Sequence, residues 1–350
     1  MSMAIEATGV DDPIGYFLQD LEYHGRSERT QEAYERVLRR FETFLADPDR
    51  CPGGPFTPAE AGRRECMAWI HSIRAEHRQS TVATYASYLH RFYTYMIQVE
   101  VFESNPMALV VEEMDETIEK DPQRRDISVS EMRRFVDEIV HPLDRAVIVS
   151  LLKTGMRVGE LCNLDLRDLA IDDEDLETAY TLGGRGQLNG RVGSIYVAND
   201  VNRGDSINGE RRRAANKRRR ATILPVDDEL HGTLRRWLAV RPDAVSDAEP
   251  LFLSTRDDWG QRLTPPMVRS IVSKYARAMD WYHTGGDATE NVTPHYFRHF
   301  FTTHLRDRTG DRGIVKYLRG DVAGDIIDTY THNWGNRVRE VYEENIYQLV

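Results

Sequence analysis

The spacing of apolar residues predicts that the first third of the chain is helical. Apolar residues recur every three or four positions over residues 13–21, 30–45, 59–76 and 80–96, as on the buried faces of four helices. A loop rich in proline and glycine separates the second helix from the third, and Asn105-Pro106 ends the pattern. We therefore predict a loose N-terminus over residues 1–12, an all-helical domain over 13–110 and a linker over 111–126.

The pattern changes in the second half, where short strands join the helices. Ser128-Val-Ser-Glu131 has the form of a capping box before a helix over 132–140, and an apolar helix over 142–153 ends at Gly155. The predicted strands cover residues 169–171, 192–197 and 221–226, with 250–253 extended, and the later helices cover 227–240, 264–279 and 338–349. A second domain of mixed helices and strands is therefore expected over residues 127–350.

Two stretches near the C-terminus carry candidate chemistry. The segment TPHYFRH, residues 293–299, has the N-cap residue and the proline of a helix start, so His295 and Arg298 share one helix face. About thirty residues later the segment TYTH, residues 329–332, contributes Tyr330. A phenol beside an imidazole and a fixed cation is a plausible site for attack on a phosphodiester and for holding the charge that develops.

The composition is that of a two-domain protein. The chain has 350 residues, of which 40% are hydrophobic, and this is enough for two separate cores. No apolar run reaches the ~20 residues that a membrane helix needs, and the N-terminus lacks a basic-then-apolar signal pattern. The three cysteines, Cys51, Cys66 and Cys162, form no CxxC pair and no zinc-like cluster. We therefore expect a cytoplasmic protein without a disulfide framework or a metal site.

The net charge of −11 argues against a nucleic-acid partner, but the distribution of charge softens that objection. Residues 211–220 hold seven cations and no acid. Such a run is usually a solvated surface, yet in an acidic protein it favours a groove for a polyanion.

The kind of basic residue suggests a habitat. Only five of the 46 basic residues are lysine, and an acidic, arginine-rich chain is typical of a salt-accumulating cytoplasm such as that of a halophilic archaeon. Retention of fold and activity in dilute buffer as well as in molar KCl would count against this hypothesis.

The helical domain also carries candidate DNA ligands. Arginines lie along its predicted helices beside hydroxyl side chains at the helix starts, and both kinds of side chain suit contacts to phosphate. For each residue taken alone, the solvated face of a helical bundle is the alternative. As a group, and together with the second half of the chain, they favour DNA binding. The candidates are Arg29, Thr30, Arg36, Thr81 and Arg91.

Four short motifs, in one order along the chain, resemble those of a known enzyme family. They are Thr154-Gly-Met-Arg-Val-Gly-Glu-Leu161, then Lys217 eight residues before Pro225, then His295-Tyr-Phe-Arg298, and finally Tyr330-Thr-His332. Together with the pattern of the first domain, they make nearly the whole sequence similar to the tyrosine recombinase, or phage integrase, family and to its Xer-type site-specific recombinases.

The resemblance implies a mainly helical α+β fold, in which a helical, SAM-like core-binding domain precedes a catalytic domain with a small antiparallel β-sheet. It implies DNA cleavage and rejoining through a 3′-phosphotyrosine, for integration, excision or resolution. The implied roles are a phosphate clamp of Arg157 and Arg298, proton transfer by His295, protonation of the departing 5′ oxygen by Lys217 and nucleophilic attack by Tyr330. Neither ATP nor Mg²⁺ is needed, so no cofactor is expected.

The same resemblance implies double-stranded DNA with inverted-repeat sites as the partner, a homotetramer on that DNA, and no membrane partner. Within the basic run, Arg213, Arg218 and Arg219 are then candidate DNA ligands.

The C-terminal segment 338–349 has two open interpretations. It is a candidate helix for docking on a neighbouring protomer, and packing on its own domain is the alternative. The segment also contains Tyr342 and Tyr347, which are rival nucleophiles, although neither is followed two residues later by a histidine as Tyr330 is.

One position departs from the family pattern. Nine residues before Tyr330 the family usually has His or Trp, and this chain has Asp321, whose carboxylate cannot donate to a phosphate and would repel one. Either Asp321 caps a helix that leads to Tyr330 and a neighbour such as Arg319 or His332 takes over, or the site is impaired. We favour the first interpretation. The alternative functions are a non-catalytic DNA-binding protein on the same fold and a topoisomerase-like nicking-closing enzyme.

Overall fold

The computed structural model describes residues 10–117, 124–321 and 334–350, so that Tyr330 and His332 lie outside the described residues. Backbone packing divides the chain into two compact units, Met1–Asp121 and Pro122–Val350. In the described ranges no helix has both the length and the apolar character needed to cross a bilayer.

Over residues 10–117, the first unit is a bundle of five helices. They are α1 (Pro13–Tyr23), α2 (Glu28–Ala46), α3 (Arg63–Arg74), α4 (Gln79–Gln98) and α5 (Met107–Glu113). The four helices predicted from apolar spacing are confirmed, and their buried faces meet around large rings such as Phe41 and Trp69. Helix α3 begins four residues later than predicted because the Glu65 carboxylate accepts a hydrogen bond from the Gly62 backbone N at 2.9 Å and fixes the helix start there.

The sequence pattern missed α5, which runs three residues beyond the predicted end of the helical domain. Asn105 starts this helix by accepting a hydrogen bond from the Met107 backbone N at 2.9 Å, and Met107 and Val110 are buried against the bundle. Arg63 forms an ion pair with Glu113. The first residues of the acidic segment predicted as a linker therefore belong to the bundle.

The second unit packs nine helices around two small antiparallel sheets, counted over its described residues. Its helices are α6 (Val129–Asp137), α7 (Pro142–Thr154), α8 (Val158–Cys162), α9 (Glu174–Ala179), α10 (Asp228–Leu238), α11 (Pro265–Ala278), α12 (Pro294–Thr309), α13 (Arg312–Arg319) and α14 (Trp334–Asn345). Its strands are β1 (Leu169–Ala170), β2 (Ser194–Val197), β3 (Ser206–Ile207), β4 (Glu210–Arg211) and β5 (Thr222–Pro225).

The three predicted strands are confirmed and form one sheet. Its order is β1-β2-β5, with antiparallel pairs such as Ile195 opposite Leu224. The second sheet is the hairpin β3–β4, which the sequence analysis did not predict. The segment 250–253 was predicted to be extended. In the structure it forms two isolated β-bridges, one at Pro250 and one at Leu253, rather than a strand of a sheet.

Helix α7 lies at the centre of the second unit and positions the functional residues that follow it. Every residue from Ala146 to Thr154 is buried, and α7 packs against α10, α11 and α12. The helix ends, as predicted, at Gly155, whose φ of +60° is a backbone conformation that favours glycine. A Cβ at this position would collide with Phe301 of α12. The absence of a side chain therefore allows α12 to pack closely against the turn that leads to Arg157.

Candidate active site

Arg157 lies directly before α8, and one buried acid holds it there. The Glu160 carboxylate accepts hydrogen bonds from the Arg157 backbone N at 2.9 Å and from its Nη1 at 3.0 Å. Glu160 has no exposed surface, so this end of the guanidinium group has little freedom. Partial burial lowers the pKa of Arg157, but the charges of Glu160 and Asp321 outweigh burial and raise it overall.

Arg298 lies on α12 and is held by two backbone carbonyls. Helix α12 begins at Pro294 after Thr293, as predicted. The Arg298 side chain is 3% exposed; its Nη1 donates to the Gly155 oxygen at 2.7 Å and its Nη2 to the Arg319 oxygen at 3.1 Å. Burial lowers the pKa of Arg298 to about 9, so the group is still a cation at neutral pH. Arg298 therefore joins α12 to the ends of α7 and α13.

The two arginines meet at the carboxylate of Asp321. Arg157 Nη2 and Arg298 Nη2 each donate to Asp321 Oδ1 at 2.8 Å, and Arg319 Nη2 lies 3.0 Å from Oδ2 as an ion pair. Partial burial raises the pKa of Asp321, but the three guanidinium groups outweigh it and the pKa lies below its ordinary value. The Asp321 carboxylate is thus an anion shared by three arginines, and the helix that it was predicted to cap lies outside the described residues.

His295 precedes Arg298 by one helical turn and remains uncharged at neutral pH. Partial burial, followed by the positive charges of Arg124, Arg298, Arg319 and Arg157, lowers the pKa of His295 from 6.5 to about 4. Because the His295 side chain is partly exposed to solvent, its burial has a limited effect, and the surrounding cations contribute much of the lowering of its pKa. Sequence reasoning missed Arg124; the signal available was a basic pair, Arg124-Arg125, within an otherwise acidic segment.

The lowered pKa predicts how stability depends on pH at this position. Between pH ~6.5 and ~4 the unfolded chain binds a proton at His295 and the folded chain does not, so stability falls as pH decreases through this window. We expect the free energy of unfolding of His295→Gln to fall less between pH 7 and pH 5 than that of the wild type. Titration of the ring by NMR in the DNA-free protein gives the pKa directly, and a midpoint near 6.5 would contradict the expectation.

The basic run 211–220 is only partly a free surface. Arg212 is buried, and its Nη1 and Nη2 donate to the two carboxylate oxygens of Asp165 at 3.0 and 2.7 Å. Arg218 is buried too; its Nε lies 3.2 Å from Glu160 Oε2, and its Nη1 donates to the Leu318 oxygen at 3.0 Å. Arg218, predicted as a DNA ligand, is therefore not accessible to DNA in this structure, because its charge is already paired inside the protein.

Lys217 lies in the loop between β4 and β5 and is exposed. Its ammonium group makes no hydrogen bond or ion pair within the described residues, so the structure does not join it to the arginine cluster. The loop itself is anchored there, since the Arg219 backbone N donates to the Gly320 oxygen at 3.0 Å. A Cβ at Gly159 would lie 2.8 Å from the Ala215 oxygen, so glycine lets this loop approach α8. Arg213 and Arg219 are exposed, as DNA ligands would be.

The DNA-ligand candidates of the first unit lie on α2 and α4. Arg29, Arg36 and Arg91 are exposed, and the Arg91 guanidinium lies 5.9 Å from the ring centre of Tyr34. The Thr30 hydroxyl shares a hydrogen bond with that of Ser27, the residue that caps α2, and Thr81 lies in the first turn of α4. The structure thus leaves these three arginines accessible to a ligand.

The C-terminal tail of this single chain packs on its own domain, which is the second of the two interpretations. Tyr342 Oη donates to the Lys153 oxygen at 2.9 Å, and Tyr347 Oη donates to the Leu152 oxygen. Both side chains are buried, and burial raises the pKa of each phenol well above its ordinary value. Neither rival nucleophile is therefore accessible. The tail helix α14 also ends four residues earlier than predicted.

Comparison with known proteins connects this arrangement to a family. Residues 127–337 match the phage integrase family, and residues 14–100 match the N-terminal SAM-like domain of phage integrases. The chain is 25% identical to tyrosine recombinase XerD of Shewanella oneidensis over 96% of both chains. It is 30% identical to tyrosine recombinase XerC of Corynebacterium glutamicum over 57% of this chain, a match that spans half the length of that relative.

Solved structures show the same fold at low sequence identity. The Tn1549 transposon integrase in complex with transposon right end DNA aligns with a TM-score of 0.61 at 19% identity, over 94% of this chain and 98% of that one. A lambda integrase tetramer bound to a Holliday junction aligns with a TM-score of 0.58 at 16% identity, over 89% and 76%. Because the family match alone covers more than half of the sequence, this chain belongs to the phage integrase family, that of the tyrosine recombinases, which break and rejoin DNA.

Proposed function

We propose that this chain is a site-specific recombinase in which Tyr330 attacks the scissile phosphate of double-stranded DNA. The phenol oxygen forms a bond to phosphorus, the bond to the 5′ oxygen breaks, and the products are a 3′-phosphotyrosine and a 5′ hydroxyl. Attack by a second 5′ hydroxyl reverses the step and rejoins a strand. The placement of Tyr330 rests on the YTH motif alone, because the residue lies outside the described residues.

One observation carries the proposal: Arg157 and Arg298 direct Nη2 donors at the same oxygen of one anion. Both groups are held before any substrate binds, Arg157 by buried Glu160 and Arg298 by the Gly155 and Arg319 carbonyls. Preorganised cations of this kind stabilise the charge that develops on a phosphorane without reorganising during the reaction. The pair therefore supports the role of a phosphate clamp.

Proton transfer completes the proposed mechanism. A free phenol has a pKa of ~10, so Tyr330 needs an acceptor for its proton at neutral pH. His295 is neutral there, because burial and the cations around it lower its pKa, and a neutral imidazole has a ring nitrogen that can accept the proton. Lys217 is exposed on a loop anchored at Gly320, which suits protonation of the departing 5′ oxygen.

The partner and assembly are part of the proposal. Double-stranded DNA with inverted-repeat sites would contact the exposed arginines of both units, and a homotetramer would form on two such sites in the cytoplasm. Support comes from solved relatives, which include an integrase bound to transposon end DNA and a tetramer bound to a Holliday junction. The candidate contacts are Arg29, Thr30, Arg36, Thr81, Arg91, Arg213 and Arg219.

A nicked suicide duplex tests the function once footprinting has located a bound site. The nick lets the short 5′-hydroxyl strand diffuse away, so a covalent protein–DNA adduct accumulates. We expect an adduct with the wild type, none with Tyr330→Phe, and an unchanged yield with Tyr23→Phe, which removes an exposed phenol elsewhere. Mass spectrometry of the adduct should find the nucleotide on Tyr330.

Two other results would point to the alternative functions. A wild type that binds the duplex tightly but forms no adduct would be a DNA-binding protein on a recombinase fold. Relaxation of supercoiled DNA that lacks the footprinted site would instead indicate a topoisomerase-like enzyme, because the chemistry would then occur without site recognition.

A further inference from the structure

The Asp321 carboxylate lies where an anionic substrate is expected. Its Oδ1 receives the Nη2 donors of Arg157 and Arg298, the pair that defines the clamp, and each distance is 2.8 Å. A non-bridging phosphate oxygen at that point would receive the same two hydrogen bonds. A phosphate oxygen and Oδ1 cannot both occupy this position, and like charges there would repel.

The second carboxylate oxygen identifies a third cation. Arg319 Nη2 forms an ion pair with Asp321 Oδ2 at 3.0 Å, and the two oxygens of a carboxylate are spaced much like two non-bridging oxygens of a phosphate. A phosphate that replaces the carboxylate would therefore meet three guanidinium groups. Arginine suits this role because its planar donors match such oxygens and its charge is permanent.

The backbone around Arg319 fixes its place at the clamp. Arg319 is the last residue of α13, and its main-chain oxygen accepts a hydrogen bond from Arg298 Nη2 at 3.1 Å. Gly320 follows with a φ of +70° and packs against Arg218, where a Cβ would lie 2.7 Å from Cγ. The Arg319 Nε is buried without a hydrogen-bond partner among the described residues, so this guanidinium has an unused donor.

We propose that Asp321 occupies the subsite of the scissile phosphate in the DNA-free protein, and that Arg319 is a third arginine that binds this phosphate. The inference rests on the phosphodiester chemistry proposed above for the same site. On DNA binding the phosphate takes over the three donors and Asp321 withdraws from them. Arg319 is then a catalytic residue, and Asp321 is a positioning residue that holds the three arginines together until the substrate arrives.

Titration of the DNA-free protein with inorganic phosphate tests the subsite without knowledge of the DNA target. Thermal unfolding is followed at increasing phosphate in constant molar KCl, because a ligand that binds only the folded state raises the midpoint according to its affinity. Asp321→Asn removes the competing charge, and we expect it to bind phosphate about tenfold more tightly than the wild type. Asp321→Glu keeps the charge and is expected to bind as weakly as the wild type.

Two double variants test Arg319 in the Asp321→Asn background. Adding Arg319→Gln is expected to weaken phosphate binding about tenfold, because one charged donor is lost. Adding Lys316→Gln removes an exposed cation from the same helix and is expected to change nothing. Equal effects of the two changes would mean that only overall charge matters and would overturn the role of Arg319.

The outcomes also separate this inference from the proposed function. An Asp321→Asn protein that binds phosphate no better than the wild type overturns the subsite, even if the wild type forms the DNA adduct. A low unfolding midpoint of Asp321→Asn without phosphate is expected, because three arginines lose the carboxylate that they share, and failure of phosphate to restore the midpoint also counts against the subsite. If the wild type forms no adduct, the proposed function fails, and the phosphate titration still decides what Asp321 occupies.

Discussion

Replacing Arg298 with alanine is expected to reduce the rate of DNA cleavage by about 10²–10³-fold, the loss typical for one preorganised donor of a transition-state anion. The guanidinium contacts the proposed phosphate position, and its burial removes the screening that weakens surface charges. Arg298→Lys keeps a charge but not the fork that reaches Asp321 and two carbonyls at once. We therefore expect the lysine variant to recover only a small part of the rate.

Single-turnover formation of the covalent adduct at saturating DNA measures this effect separately from binding. Arg306→Ala is the matched control, because Arg306 lies two turns further along α12, is exposed and pairs only with its neighbour Asp307 among the described residues. A similar rate for the two alanine variants would contradict the clamp. Arg298→Ala also leaves the Gly155 and Arg319 carbonyls without this donor, so unfolding should be monitored and is expected to be easier by about 1–3 kcal/mol.

Much of the fold was predictable because its signals are local. Helix α12 begins where Thr293 and Pro294 indicate, and α7 ends at Gly155 because its left-handed backbone conformation favours glycine. Shorter elements such as α5 and β3–β4 were missed, since seven residues or fewer hardly establish a period. The apolar pattern thus predicts the long elements and leaves the short ones to tertiary contacts.

The site was predictable in its residue types but not in its pairing. The sequence motifs named Arg157, His295 and Arg298, and the structure places the two arginines on one anion. Nothing local could show that this anion is Asp321, which is 164 residues from Arg157. The sequence alone could not show that two arginines of the basic run are neutralised inside the protein. Arg212 pairs with Asp165 and Arg218 pairs with Glu160, and both acids are distant in sequence.

Replacing Lys153 with methionine is expected to destabilise the second unit by about 3–5 kcal/mol, the cost typical of removing one partner from a buried ion pair. Lys153 has no exposed surface; its Nζ contacts Asp227 Oδ2 at 2.6 Å, the carboxylate of Glu229, and the Tyr347 oxygen at 2.7 Å. Methionine keeps most of the volume of the lysine side chain, so the loss of stability measures the effect of removing the charge. Two nearly buried carboxylates then lack their cation.

Urea unfolding at fixed KCl gives the change in stability, and Lys274→Met supplies the control. Lys274 also pairs with an acid, Asp144 at 3.2 Å, but it is half-exposed and Asp144 keeps a hydrogen bond from Tyr275 Oη. We expect this control to cost less than about 1 kcal/mol.

We expect Lys153→Met to loosen the C-terminal tail as well as the core. Lys153 holds the tail through the Tyr347 oxygen, and Glu229 accepts hydrogen bonds from the backbone N–H groups of Leu349 and Val350. Carboxypeptidase should therefore shorten Lys153→Met faster than the wild type under native conditions. Adding Glu229→Gln to Lys153→Met removes one unpaired charge and should recover part of the lost stability. If Lys153→Met were as stable as Lys274→Met, or if its tail resisted the protease as well as the wild type does, the buried lysine would not hold the C-terminus in place.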